Sequence, residues 1–157
     1  MTHSDKMREI IRHIRRVEDN CNEMSIQIIE RGLYDEEFAR QLVIRGRIHD
    51  ASKFEEFEFN HLWKGDPKFE EALKIHHSKN RHHPEFHKNG IKDMTDLDLA
   101  EFVCDTTARA QEFGTDIKKW LIYDDNLAPK KYDYIDDKNI KNKILLFLNL
   151  ISIQKFK

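Results

Sequence analysis

Apolar residues recur every three or four positions along most of this chain, the spacing of one helix face rather than of a strand. Over residues 4–31, Met7, Ile10, Ile14, Val17, Cys21, Met24 and Ile28 mark such a face, with His13 on its flank. Ser4 caps this predicted helix, Gly32 ends it in a left-handed conformation, and a bend is expected near Asn20. Asp35 caps a second helix reaching about His49, with Phe38, Leu42 and His49 on its buried side. Asp50 therefore follows where that helix ends. Phe54, Phe57 and Phe59 stand among glutamates in a partly alternating pattern, but no partner strand is evident. A short helix or turn is the better reading there.

Asp66-Pro67 predicts the start of a third helix, with Asp as cap and Pro in the first turn. Phe69, Leu73, His76 and Asn80 then share a face, with His77 one position round. Thr95 and Asp98 form a capping box that starts a fourth helix, which reaches about Phe113 before Gly114. Leu97, Glu101, Cys104, Asp105 and Ala108 lie close together on it. Beyond it come a short helix over 117–122, a polar loop through Pro129, and a last helix from about Asp137. Ile140, Ile144, Leu145, Leu148 and Ile151 form the apolar side of that last helix.

Only five glycines and three prolines interrupt 157 residues. The expected fold is all-α: one domain over residues 1–157, a bundle of five or six main helices. Charge narrows the partners. Acidic and basic residues make up 36% of the chain, yet the net charge is −2 and the signs are interspersed, as on solvated helix faces. No basic stripe points to nucleic acid, although protonating the histidines near pH 6 would turn the chain positive. Cys21 and Cys104 stand far apart and in no C-x-x-C pattern, so reduced, partly buried thiols are expected, with a single disulfide left open. No leader-like or membrane-length apolar run occurs, which points to the cytoplasm and away from a membrane partner.

The candidate chemistry lies in two fragments. Arg47-Ile48-His49-Asp50-Ala51-Ser52-Lys53 and His76 through Glu85 hold five of the nine histidines, four of them within eight residues. Imidazoles supply neutral ligands, and aspartate supplies a hard anionic oxygen able to bridge two ions, so the pattern points to a divalent-metal site. Other metal or hydrolase motifs are missing. There is no H-E-x-x-H, no Gly-rich phosphate loop, no nucleophile elbow and no ββα nuclease unit. Glu55, Glu56 and Glu58 read as a charged face, and His3, His61 and His87 as surface residues.

Written as H…HD…H…HH…D, the histidines and aspartates resemble the HD superfamily of metal-dependent phosphohydrolases. More closely, the segments His49-Asp50-Ala51-Ser52-Lys53-Phe54 and His76 through Phe86 are similar to a family of small, phage-associated HD-type proteins with HDxSKF and HxxxNxHHPE motifs. His13-Ile14 and Glu101 to Asp105 match its outer elements, and Thr106 stands where that family would place a Trp. The resemblance covers about two-thirds of the chain. It implies an HD-type bundle with one or two divalent ions (Mn, Fe, Zn, Co, Ni or Mg) held between the first four main helices. His13, His49, Asp50 and Asp105 would be core ligands, and His76 with His82 or His83 would complete a second position, with Asp50 bridging. His77 would sit behind the ligands.

The implied reaction is hydrolysis of a nucleotide or similar small phosphoester by metal-activated water. Asp50, Lys53 and Glu101 would carry it: Lys53 neutralising phosphoryl charge, Glu101 orienting a histidine or relaying a proton. Lys53, Asn80, Arg81 and Arg109 are the expected substrate contacts, with the pocket lined from the segments 54–63 and 120–134. A di-iron oxygenase on the same scaffold is the alternative within the superfamily. A non-catalytic, metal-containing nucleotide-binding or regulatory protein is the alternative outside enzymes.

Overall fold

The structure is a computed structural model describing residues 1–123 and 127–151. Among these residues it is all-helical, with eight α-helices joined by short turns. Five are long: α1 (His3–Arg31), α2 (Glu36–Ile48), α4 (Phe69–Lys79), α5 (Asp96–Phe113) and α8 (Lys138–Leu148). Three are short: α3 (Glu56–His61), α6 (Ile117–Leu121) and α7 (Ala128–Lys131). The expected all-α bundle is thus what forms.

α1 runs unbroken through Asn20. Its cap is Thr2 rather than Ser4. The Thr2 hydroxyl accepts from the Asp5 N–H at 3.1 Å, and the Asp5 carboxylate accepts from the Thr2 N–H at 3.0 Å. A capping box needs an acid or amide three residues on; Thr2 has Asp5, whereas Ser4 has Met7. The buried face is also rotated from the simple apolar stripe. His13 and Asn20 join Ile10, Val17, Cys21, Met24 and Ile28 inside, while Met7 is exposed and Ile14 half-buried. Asn20 is accommodated because its amide donates to the Cys104 carbonyl at 3.2 Å.

Asp35 caps α2 as its sequence suggests, accepting from the Phe38 N–H at 2.8 Å. α2 folds back on α1, and Gly46 sets how closely. A Cβ there would lie 2.8 Å from the Cys21 Cβ and 3.3 Å from the Glu18 Cα. Glycine lets the two backbones approach, which brings the end of α2 against the middle of α1.

α5 is the central element. Every residue from Asp98 to Asp105 is buried, and the helix packs against α1, α2 and α8. Its start is the expected capping box of Thr95 and Asp98, and Gly114 closes it at φ 66°. Cys21 and Cys104 are free and fully buried between α1 and α5. α8 buries Ile140, Ile144, Phe147 and Leu148 but leaves Leu145 exposed.

α3 and α4 form a side wall. α4 begins at Phe69, two residues beyond the predicted start, because the Asp66 carboxylate caps a turn at the Lys68 N–H at 2.8 Å instead of the helix itself. α7 occupies the end of the predicted polar loop, with Pro129 in its first turn, where a missing N–H costs nothing. Residues 124–126 of that loop, and the tail from 152, lie outside the described residues. No helix among the described residues is long and apolar enough to cross a membrane.

Candidate metal centre

Five segments converge on one buried point. α1 brings His13; the end of α2 brings His49; the following turn brings Asp50 and Lys53; α4 and the turn after it bring His76, His82 and His83; α5 brings Asp105. His49 ends the helix at φ −51° and ψ 129°, and Asp50 then adopts a left-handed conformation at φ 54°. Aspartate tolerates that region better than most residues, and such conformations gather at functional sites. The two carboxylate oxygens of Asp50 face different histidines. Oδ2 lies 3.3 Å from His49 Nε2 and 3.6 Å from His13 Nε2, while Oδ1 lies 3.3 Å from both His76 Nε2 and His82 Nε2.

The donors therefore form two clusters that share Asp50: His13, His49, Asp50 and Asp105, and Asp50, His76, His82 and His83. In each, one ligand atom per residue lies within 4.8 Å of the others. His13 Nε2 lies 2.9 Å from Asp105 Oδ1, His49 Nε2 lies 3.5 Å from the same oxygen, and His76 Nε2 lies 3.0 Å from His83 Nε2. Ligands about 2.1 Å from a tetrahedral ion stand about 3.4 Å apart, so these spacings fit one coordination sphere each.

The carboxylates behind the rings explain why an ion fits. Glu112 sits 2.8 Å from His13 Nδ1. Glu101 Oε2 sits 2.8 Å from His49 Nδ1 and 2.9 Å from His82 Nδ1, and Glu58 Oε1 sits 2.6 Å from His76 Nδ1. A buried carboxylate only accepts, so each Nδ1–H donates outward and each Nε2 turns a lone pair inward. Those inward atoms meet carboxylate oxygens. His13 Nε2, His49 Nε2, His82 Nε2, Asp50 Oδ1 and Asp105 Oδ1 are all buried without a hydrogen-bond partner. A metal ion, or protons on the imidazoles, would satisfy these facing atoms, and buried orphaned polar groups are otherwise rare.

The electrostatics agree. Burial pulls the His49 imidazole down, but the charges of Asp50 and Asp105 outweigh it and hold it well above its usual range. Burial and the His49 charge pull His82 down, yet contacts with Asp105, Asp50 and Glu101 push it up to about 10. Asp50 goes the other way: burial raises its carboxyl, while the charges of His49 and Lys53 hold it well below the carboxylate range. His83 is pushed well down by burial and the neighbouring His82 charge, which keeps it neutral. The site is a strongly anionic pit that attracts either protons or metal ions.

Of the other expected site residues, Lys53 stands at this centre, its Nζ 2.9 Å from Asp50 Oδ2. Glu101 is buried behind His49 and His82 and also accepts from Arg45 at 3.1 Å, so it holds the two imidazoles rather than facing the cleft. Arg109 lines the cleft and donates to Glu112 at 3.0 Å, behind His13. Asn80 and Arg81 lie elsewhere. The Asn80 amide donates to Ser52 Oγ at 3.0 Å and the His76 carbonyl at 2.8 Å, tying α4 to the turn after Asp50. Arg81 pairs with the buried Asp98 at 3.3 Å and lies over the Phe86 ring. His77 pairs with Glu85 at 2.9 Å at the cleft, and with His83 these form a further, more exposed group of donors.

Two participants escaped the sequence pattern. Glu58 is not part of a charged face: it is 1% exposed and holds His76, because α3 turns it inward under Ser52. Nothing in the Glu55–Glu56–Glu58 run distinguishes it. Glu112 had a signal, since Glu101, Asp105 and Glu112 are spaced by four and seven on α5 and so share a face. His87 is also less exposed than expected, with its Nε2 2.9 Å from the Arg81 carbonyl.

The centre forms the floor of a cleft of about 410 Å³. Leu62 and Trp63 line it from the expected 54–63 segment, but Phe54 is on the surface. Trp120, Tyr132 and Tyr134 pack in or against the core instead: the Tyr132 ring meets those of Phe102 and Trp120, and the Tyr134 hydroxyl donates to the Leu121 carbonyl.

Residues 60–144 match the family described as "Family of unknown function (DUF5662)". The chain belongs to that family. The DUF5662 match takes in His76, His82, His83, Glu101, Asp105 and Glu112, and begins beyond His49-Asp50 and Lys53. No curated protein and no solved structure matches. The family's description assigns no reaction, so function must be argued from the centre itself.

Proposed function

We propose that this DUF5662 protein is a metal-dependent phosphohydrolase of the HD type, acting on a nucleotide or similar small phosphoester. The observation that carries the reading is the pair of donor clusters sharing Asp50 at the floor of an accessible cleft. Structural metal sites are closed, whereas a site that opens to a cleft leaves room for water and substrate. A divalent ion bound there supplies Lewis acidity, lowering the pKa of a coordinated water and polarising a phosphoryl oxygen.

The chain's own residues do the rest. Glu58, Glu101 and Glu112 fix the tautomer and direction of the histidines, so the donors are preorganised. Lys53 Nζ, beside Asp50 and open to the cleft, stabilises negative charge developing on a phosphoryl group. Arg109 adds positive charge at the wall.

The test is elemental analysis of protein purified without chelator, with phosphate release from a panel of phosphoesters, each beside Asp50→Ala. Bound metal and phosphate release in the parent, both lost in the variant, are expected. Full activity in Asp50→Ala, or no metal after reconstitution with any of Mn, Fe, Zn, Co, Ni and Mg, would sink the proposal. Bound iron with oxygen consumption and no phosphate release would favour the oxygenase alternative.

A further inference from the structure

The cleft has two chemically distinct zones. Its floor holds His13, Asp50, His76, His83 and Asp105 of the two donor clusters, with Lys53. Its walls carry six apolar side chains, Ile10, Leu62, Trp63, Phe69, Leu73 and Phe113. Trp63 is a fixed part of that wall, because its indole N–H already donates to the Phe59 carbonyl at 2.7 Å. That N–H is thereby spent, so Trp63 offers a ligand only its ring.

Among the described residues, no Ser, Thr, Asn, Gln or Tyr side chain lines the cleft. The polar groups on the walls are ionic, Glu9, Lys64 and Arg109, or the imidazole of His77. Neutral hydroxyls and amides are the side chains that usually fix the orientation of a polar small molecule. A sugar or base packed on Trp63, Phe69 and Leu73 would lose water from its hydroxyls and edges without gaining partners from those side chains, which is costly. An anionic head with an apolar tail meets no such cost.

We propose that the substrate of this site is a small phosphomonoester whose alcohol part is an apolar alkyl or aryl group, rather than a nucleotide. The inference rests on the phosphohydrolase reading above. The phosphate sits at the floor beside Lys53, and the carbon skeleton lies along Trp63, Phe69 and Leu73. A volume of about 410 Å³ is near the small end for ligand pockets, so the tail is short. In hydrolysis the water oxygen bonds to phosphorus and the ester P–O bond breaks. One water proton goes to the departing oxygen, giving phosphate and a free alcohol.

The test is a binding series on the metal-loaded protein with ethyl-, butyl- and hexylphosphonate, which cannot be hydrolysed, beside deoxyadenosine monophosphate. Phosphate release from hexyl phosphate is measured in parallel. Affinity should rise by about fourfold for each added methylene that stays on the wall. Hexylphosphonate should bind more tightly than the nucleotide, and Trp63→Ala should flatten the series. A flat series in the parent protein, or tighter binding of the nucleotide, would overturn the inference. Phosphate release from nucleotides in that case would leave the hydrolase reading standing. A rising series without release from hexyl phosphate would overturn hydrolysis and keep the ligand class.

Discussion

Loading the centre with a divalent ion should raise the melting temperature of the chain sharply, and Asp50→Ala should abolish the rise. In the fold, residues as distant as His13 and Asp105 present donors 2.9 Å apart, an arrangement the unfolded chain lacks. The ion therefore binds the native state almost exclusively. At a free concentration about a thousand times the Kd, such binding adds about 4 kcal/mol of stability. For a domain of this size each kcal/mol moves Tm by about 2–4 °C, so the expected rise is about 8–16 °C. Asp50 is the one residue common to both four-donor clusters, so its removal should cost both. His76→Ala spares the His13–His49–Asp50–Asp105 cluster and should keep part of the rise. The assay is thermal melting by circular dichroism, after chelation and then with each candidate ion. An unchanged Tm with every ion, or an equal rise in Asp50→Ala, would refute the argument from facing acceptors.

Substitutions behind the ligands should separate the two clusters. Glu112→Gln, behind His13, and Glu58→Gln, behind His76, should each weaken one metal equivalent about 10–100-fold in a chelator-competition titration, while Glu101→Gln, behind both His49 and His82, should weaken both. In the metal-free chain, the histidines with raised pKa contribute stability fully below about pH 6.5, their unfolded value, and lose it as pH rises through the folded values, which for His82 is about 10. The carboxylates with lowered pKa contribute fully above about pH 4, their unfolded value, and lose it as pH falls through their folded values. Metal-free melting temperature should thus fall on going from pH 7 to 10, and metal binding at pH 7 should release protons. Binding heats that do not vary with the ionisation enthalpy of the buffer would contradict this. Gly46→Ala should destabilise the fold by about 1–3 kcal/mol in urea unfolding, because the added methyl meets Cys21 and the Glu18 backbone; the better helix propensity of alanine offsets at most about 1 kcal/mol.

Much of this fold is local and therefore legible. Asp35, Thr95 and Gly114 act on groups within a few residues, so their roles follow from spacing alone. Thr2 was masked by Ser4 only because both residues can cap, and the acid at position 5 decides between them. The displaced start of α4 has the same origin: Asp66 had two nearby backbone partners and took the turn. Glu58 was illegible because its burial depends on how α3 lies against α4, which no local rule reports. Asn80 and Arg81 sit inside the histidine-rich motif, yet proximity in sequence did not place them at the cleft. The chain turns after α4, and each finds a nearer partner.

The sequence by itself determined that the chain is helical, where most helices begin and end, and that histidines and aspartates cluster as metal ligands do. Those properties depend on periodicity, capping and residue type, which act over a few positions. Only the tertiary structure decided that the ligands form two clusters, that both share Asp50, and that Glu58, Glu101 and Glu112 stand behind them. Tertiary packing also decided that Ile10, Leu62, Trp63, Phe69, Leu73 and Phe113 gather around the cleft. These depend on the close approach of α1 and α2 at Gly46, on the left-handed turn at Asp50, and on α5 running through the middle of the bundle. A coordination site is a relation among distant residues, and the packing of the helices sets that relation.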